Sequence, residues 1–123
     1  MATLTENLPH AGGYLISEGN GDISREPVTL ASGNGVIRTG TVLAKLTATG
    51  KYVPYDNAGT DGSETAAAIL WEERDTTDGD ATAVVTARHA TVNKAELVWA
   101  AGVDATGITA GLADLAVLSI IAR

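Results

Sequence analysis

The stretch VLAKLTATGKYVPYDNAGTDGSETAAAILWEE, Val42 to Glu73, decides how the chain folds. Val42, Ala44 and Leu46 (or Leu43 and Lys45) alternate, the period of a half-buried strand. Thr49-Gly50 supplies a tight turn, and Lys51 to Tyr55 returns as a second strand. Pro54 lacks a backbone donor, which confines that strand to an edge or to pairing on one side. DNAGTDGSE is a polar loop of turn-forming residues. The run TAAAILWEE then admits a helix or a buried strand, and Ile69 and Trp71, set between turn signals, favour the strand.

Outward from this hairpin the pattern repeats. Upstream, YLIS reads as a short strand, Asn20-Gly21 as a turn, REPVTLA as a strand limited at Pro27, and Ser32 to Gly35 as another turn. Downstream, DTTDGD is a turn and ATAVVTARHATVN a strand broken near His89-Ala90. In NKAELVWAAG, Asn93 caps a helical turn with Glu96 three residues on, or the segment stays extended. TAGLADLAV reads as a helix with Leu112, Leu115 and Ala116 on one face, and LSIIAR as a closing strand. The expectation is a mostly β (α+β) fold: one small domain of short strands and hairpins, residues 14–123, with one or two short helices. The polar, Gly- and Pro-bearing residues 1–13 form an extended, flexible N-terminal arm.

A chain of 123 residues suffices for one compact core. That core is short of large side chains: there is no Phe, two Trp and three Tyr, and much of the 45% hydrophobic content is alanine. Small side chains bury little area each, so burial against a partner is a natural supplement. The net charge of −7, from 8 basic and 15 acidic residues with no basic cluster, argues against gripping a phosphate backbone or an anionic membrane. The chain has no cysteine, hence no disulfide and no thiolate metal site, which suits a reducing cytoplasm. MATLTENLPHAGG lacks the basic start and apolar centre of a signal peptide, and LAVLSIIA is too short to span a bilayer.

Catalytic signatures fail. None of Ser17, Ser24, Ser32, Ser63 or Ser119 sits in G-x-S-x-G, and the two GNG triplets, from Gly19 and Gly33, do not continue into a nucleotide loop. His10 and His89 are far apart in sequence and read as surface residues, not metal ligands. Asp56, Asp61, Asp78 and Asp80 do not have EF-hand spacing and read as turn residues. Glu72-Glu73-Arg74-Asp75 reads as a solvated charged face. No catalytic residue, metal or cofactor is expected. Trp71 and Trp99 each close an apolar run and read as core packing or, for at least one of them, as part of a subunit interface.

The order and spacing of Val42–Lys45, Tyr52–Tyr55, Asp56–Gly62 and Ala66–Leu70, then Leu97-Val98-Trp99 and GLADLAVLSIIAR, resemble the lambda-like head decoration proteins of tailed phages, the protein D family. The resemblance covers Gly40 to Arg123. Ala100 stands where the family often has proline, and Gly13 to Thr39 is more strand-like than the arm of the best-known members. The resemblance implies a non-enzymatic cement on the outer surface of the virion capsid, present in the host cytoplasm before assembly. It further implies a homotrimer at local three-fold axes of the expanded head, bridging capsomers against internal DNA pressure, with the major capsid protein as partner and no nucleic acid or membrane bound. Trp71, Leu97 and Trp99 are then the candidate trimer interface. Leu4, Leu8, Tyr14, Leu15 and Ile16 are the apolar anchors of an arm, residues 2–17, that is mobile in the free protein and pairs with a capsid loop by strand addition. A competing reading is a small β-rich carbohydrate- or receptor-binding module of a phage tail or cell surface. That module needs aromatics in a groove, and Tyr14, Tyr52 and Tyr55 are the tyrosines available. An enzyme with dispersed residues is the third reading.

Overall fold

A computed structural model describes residues 11–19 and 23–123. The first ten residues, with Leu4, Leu8 and His10, and the Asn20-Gly21 turn lie outside the described residues. Ten short strands and one helix follow in the order β1 (Leu15–Glu18), β2 (Arg25–Leu30), β3 (Val36–Ile37), β4 (Val42–Lys45), β5 (Tyr52–Pro54), β6 (Ala66–Leu70), β7 (Arg74–Asp75), β8 (Ala81–Thr86), β9 (Ala90–Val92), α1 (Ala105–Val117) and β10 (Ile120–Ala122). The fold is mostly β, as its alternating runs and dense turn signals require.

Strands β2, β5, β4, β6 and β8 close into a five-stranded barrel in that order. The hairpin β4–β5 pairs Leu43 with Pro54 and Lys45 with Tyr52, turning at Gly50, whose φ of +73° glycine adopts without strain. Strand β2 runs antiparallel along the whole of β8, from Arg25↔Thr86 to Leu30↔Ala81, and meets β5 only at Leu30↔Tyr52. Pro27 and Pro54 therefore each pair on one side, as their missing N–H groups demand. The run TAAAIL is β6, paired with both β4 and β8.

One cluster takes side chains from every barrel strand: Leu30, Leu43, Tyr52, Ala68, Leu70, Ala83 and Val85. A second lies between the barrel wall and the layer formed by α1 and the small sheet β1-β9-β10, and includes Val42, Ala44, Tyr55, Ile69, Leu115 and Ile120. Strand β4 stands between them, so Val42, Leu43 and Ala44 are all buried. The alternation had predicted a half-buried strand. The second layer covers the face that would otherwise meet solvent.

The expected break near His89 is present: β8 and β9 are separated by a turn with His89 at φ +51°. Asn93 caps a single 3-10 turn, Lys94–Glu96, its side chain accepting from the Ala95 N–H. Helix α1 starts at Asp104, whose carboxylate accepts from the Gly107 N–H at 2.8 Å. Its buried stripe is Gly107, Gly111 and Leu115, while Leu112 is half-buried and Ala116 exposed. The expected face of Leu112, Leu115 and Ala116 is thus rotated. The cause is aromatic: the rings of Tyr55 and Trp99 lie against Gly111, where a side chain would meet them at 2.7–3.0 Å. The backbone N–H of Ala66 donates to the Asp114 carboxylate (3.0 Å), tying the helix to β6.

Candidate functional site

The five proposed arm positions fall into three groups. Leu4 and Leu8 are outside the described residues. Tyr14 is a core residue, 2% exposed, so its side chain is not free to anchor an arm. Its hydroxyl donates to the Ile69 carbonyl (3.3 Å) and shares a 2.6 Å bond with the Thr86 hydroxyl. Burial pushes this phenol far above its usual range, against the opposing effect of the Thr86 bond. Leu15 packs on the second cluster, and Ile16 is 58% exposed. Ile16 is thrown outward by a bulge: Leu15 faces Val92 and Ser17 faces Thr91, leaving it without a partner across the pair. Among the described residues strand β1 pairs with β9 alone. Residues 15–17, expected to be mobile with the arm, are part of this sheet.

Of the three proposed interface residues, Leu97 is buried and belongs to the second cluster. Trp71 and Trp99 are half-buried on different neighbours. Trp71 meets Tyr14 edge to face, with ring centres 6.4 Å apart. The Arg25 guanidinium lies 4.0 Å above the Trp71 ring centre and is held in turn by two hydrogen bonds to Glu18 (2.7 and 3.3 Å). The Gly12 N–H donates to the Trp71 carbonyl at 2.8 Å, and the indole covers Gly12 itself. Trp99 meets Tyr55 edge to face (5.9 Å), and the Tyr55 hydroxyl donates to the Gly107 carbonyl (2.9 Å). Trp99 also borders a shallow groove of about 210 Å³ with Val36, Arg38 and Pro54 along it.

The acidic residues of the loops are engaged locally. Asp61 accepts from the hydroxyl and the N–H of Ser63, and these bonds hold its carboxyl below the usual range. Asp56 accepts from the Ala58 N–H, and Asp75 from the Thr77 hydroxyl and N–H, which lowers its pKa in the same way. Asp80 bonds Lys51 (2.6 Å) and the Ser32 N–H (2.8 Å), and is lowered by both. Among the described residues no three His, Asp or Glu side chains converge on a point where an ion would sit. His89 is exposed. The Ser24 hydroxyl is buried between the Gly19 N–H and the His89 carbonyl, a structural role. All three tyrosines are 8% exposed or less, so the stacking groove that a carbohydrate-binding module requires is not built from them.

Sequence reading missed Val36, Val117 and Ile121, which are 56%, 84% and 42% exposed. For Val117 a signal existed: it is out of phase with the Gly107-Gly111-Leu115 stripe. Val36 and Ile121 carry none, because alternation does not say which face of a two- or three-residue strand is covered.

Polar side chains that cap turns, and apolar ones left exposed around a closed barrel, define a structural domain that works through its surface. The family profile of the bacteriophage lambda head decoration protein D matches residues 3–120. The chain belongs to that family: it is a capsid decoration protein of a bacteriophage, a structural component of the virion. The match begins well before Gly40, so the strand-like region from Gly13 to Thr39, now seen as β1 to β3, is part of the family domain. A comparison with curated proteins gives no match.

Proposed function

We propose that the protein cements the expanded phage head as a homotrimer on the outer surface at local three-fold axes, resisting internal DNA pressure. The observation that carries the reading is the family match over nearly the whole chain. The exposed apolar side chains, with the edge of β1 that is unpaired among the described residues, supply surface of the required kind. Trp71 and Trp99, half-buried on the domain, are the aromatic candidates for contacts between copies, with Leu97 a buried member of the cluster they pack against. The arm reaches the capsid through Leu4 and Leu8, with exposed Ile16 on strand β1 as a further apolar contact.

Linkage gives the mechanism. A ligand that binds the closed shell and not its separated subunits stabilises it by about 2.7 kcal/mol per site at a hundredfold excess over Kd. Repeated over many sites, modest affinity becomes resistance to rupture. Selectivity for the expanded lattice follows because three linked copies engage together only at one spacing. With a charge of −7, attachment does not use DNA, and empty expanded shells bind as well as full ones. The test is to heat full heads with and without the protein and to compare its binding to unexpanded and expanded empty shells. Equal rupture temperatures, or equal binding to both lattices, would overturn the cementing role.

A further inference from the structure

The turn SGNG, Ser32 to Gly35, has no part in the function proposed above, yet it carries chemistry of its own. Asn34 is exposed, and its successor is a glycine at φ +64° with nothing within 4 Å of where a side chain would stand. The Gly35 N–H makes no hydrogen bond among the described residues. The Asn34 carboxamide is restrained by one exposed bond, from its Nδ2 to the Ala31 carbonyl (3.1 Å). The Gly35 nitrogen thus has no side chain to shield it and no hydrogen bond among the described residues to hold it.

We propose that Asn34 is a self-modification site, at which the Gly35 nitrogen attacks the Asn34 side-chain amide and converts it to aspartate and isoaspartate. The Gly35 nitrogen forms a bond to Asn34 Cγ and gives up its proton, while the Cγ–Nδ2 bond breaks and ammonia leaves. The product is a five-membered succinimide. Water then opens the ring at either carbonyl, giving aspartate or an isoaspartate whose main chain runs through the former side chain. No oxidant, metal or second protein takes part.

The position makes the change consequential. Thr76 is fully buried and grips this turn through four bonds. Its carbonyl accepts from Gly33 (2.8 Å), its hydroxyl from the Asn34 N–H (3.2 Å), and its N–H and hydroxyl both donate to the Gly35 carbonyl (2.8 Å each). An extra main-chain carbon between residues 34 and 35 shifts these bonds out of register and loosens the β3–β7 ribbon they support. The event also adds a negative charge to a chain already at −7. A virion component is not replaced after assembly, so the modified form accumulates with the age of the particle.

The test is to hold the folded protein in mildly alkaline buffer and follow tryptic peptides by mass spectrometry. The peptide Glu26–Arg38 isolates Asn34 from Asn20. The expected result is conversion at Asn34 to two products separable by chromatography, one of them labelled by an isoaspartyl methyltransferase, while Asn57 and Asn93, followed by Ala58 and Lys94, remain amides. Hydrogen exchange should rise in residues 33–37 and 74–77 of the aged protein and stay unchanged in aged Asn34→Gln. An intact Asn34 in folded protein when denatured protein converts, equal conversion at all three asparagines, or equal loosening of the aged Asn34→Gln variant would each overturn the proposal.

Discussion

Replacing Gly12 by alanine sets two routes against each other, and the structure decides between them. Gly12 has φ +66°, where an L-residue costs about 1–2 kcal/mol. A Cβ there would stand 2.7 Å from Cζ2 and Cζ3 of Trp71, and closer still to Cη2. Overpacking of this kind costs about 1–3 kcal/mol. If residues 11–13 stay docked, Gly12→Ala therefore loses about 2–5 kcal/mol. Undocking them breaks the bond from Gly12 N–H to the Trp71 carbonyl and the turn bond from Leu15 N–H to the Gly12 carbonyl. Two such bonds are worth about 1–3 kcal/mol net. Tyr14 holds its place in either case through Ile69 and Thr86. Undocking is the cheaper route by roughly 1–2 kcal/mol, so the variant should release the segment and uncover the indole.

The assay uses a Trp99→Phe background, in which Trp71 is the sole tryptophan. Gly12→Ala should lower the urea-derived stability by about 1–3 kcal/mol, shift the Trp71 emission to the red and increase its quenching by acrylamide. A larger loss with unchanged quenching would mean that the segment cannot undock. Unchanged stability and emission together would mean that Gly12 is not held under the indole at all, and the reasoning fails.

Leu115→Ala should cost about 2–5 kcal/mol, because the helix is tied by Tyr55 at Gly107 and by Asp114 at Ala66 and cannot settle into the cavity. A loss under about 1 kcal/mol in urea unfolding would show that α1 is loosely packed. The depressed carboxyls of Asp61, Asp75 and Asp80 contribute stability that is present above their unfolded value near 3.8 and is lost as pH falls through their folded values. The urea midpoint should accordingly be level above about pH 5 and fall below about pH 4, with a shallower fall in Thr77→Val, which removes the main support of Asp75. Deleting residues 2–12 should weaken binding to expanded heads in co-sedimentation without unfolding the domain, which loses, among the described residues, only the Gly12 bonds to Trp71 and Leu15; undiminished binding would exclude the arm.

What could be read from the sequence was local. The Thr49-Gly50 hairpin, the break at His89 and the Asn93 turn are fixed by residues within a few positions of one another, and each lies where its turn chemistry puts it. The barrel is closed by Leu30 against Tyr52, a contact between distant strands that no periodicity announces. The same limit explains β4: alternation assigns one buried face, and only the second layer, brought in from Tyr14 and β1 and from Ala90 onward, buries the other. In α1 the apolar count pointed to leucine and alanine. Of the expected face only Leu115 is buried; the rest of the burial went to Gly111, beside which lie the Trp99 and Tyr55 rings, and to Gly107, beside which lies the Asn57 side chain. The site was legible as a family through the order of its segments. Tyr14 was assigned to the arm as one of the apolar residues of the YLIS segment next to it, and its partners Ile69 and Thr86 are too far along the chain to have corrected that.

The tyrosines also change the argument for a partner that rested on composition. With no Phe, the chain uses Tyr14 and Tyr55 as its large core side chains, at 2% and 1% exposure. A buried phenol is costly unless its hydroxyl is paired, and both are: Tyr14 with Ile69 and Thr86, Tyr55 with Gly107. Each bond fixes a ring in one orientation, and each ring then supports one of the two tryptophans edge to face. Alanine and glycine around them allow the close approach that leaves these rings enclosed. The single chain therefore encloses these rings in clusters of its own side chains. Self-association has to be argued from what stays outside that core: the exposed parts of half-buried Trp71 and Trp99, and side chains such as Val36 and Val117 that the fold leaves in water.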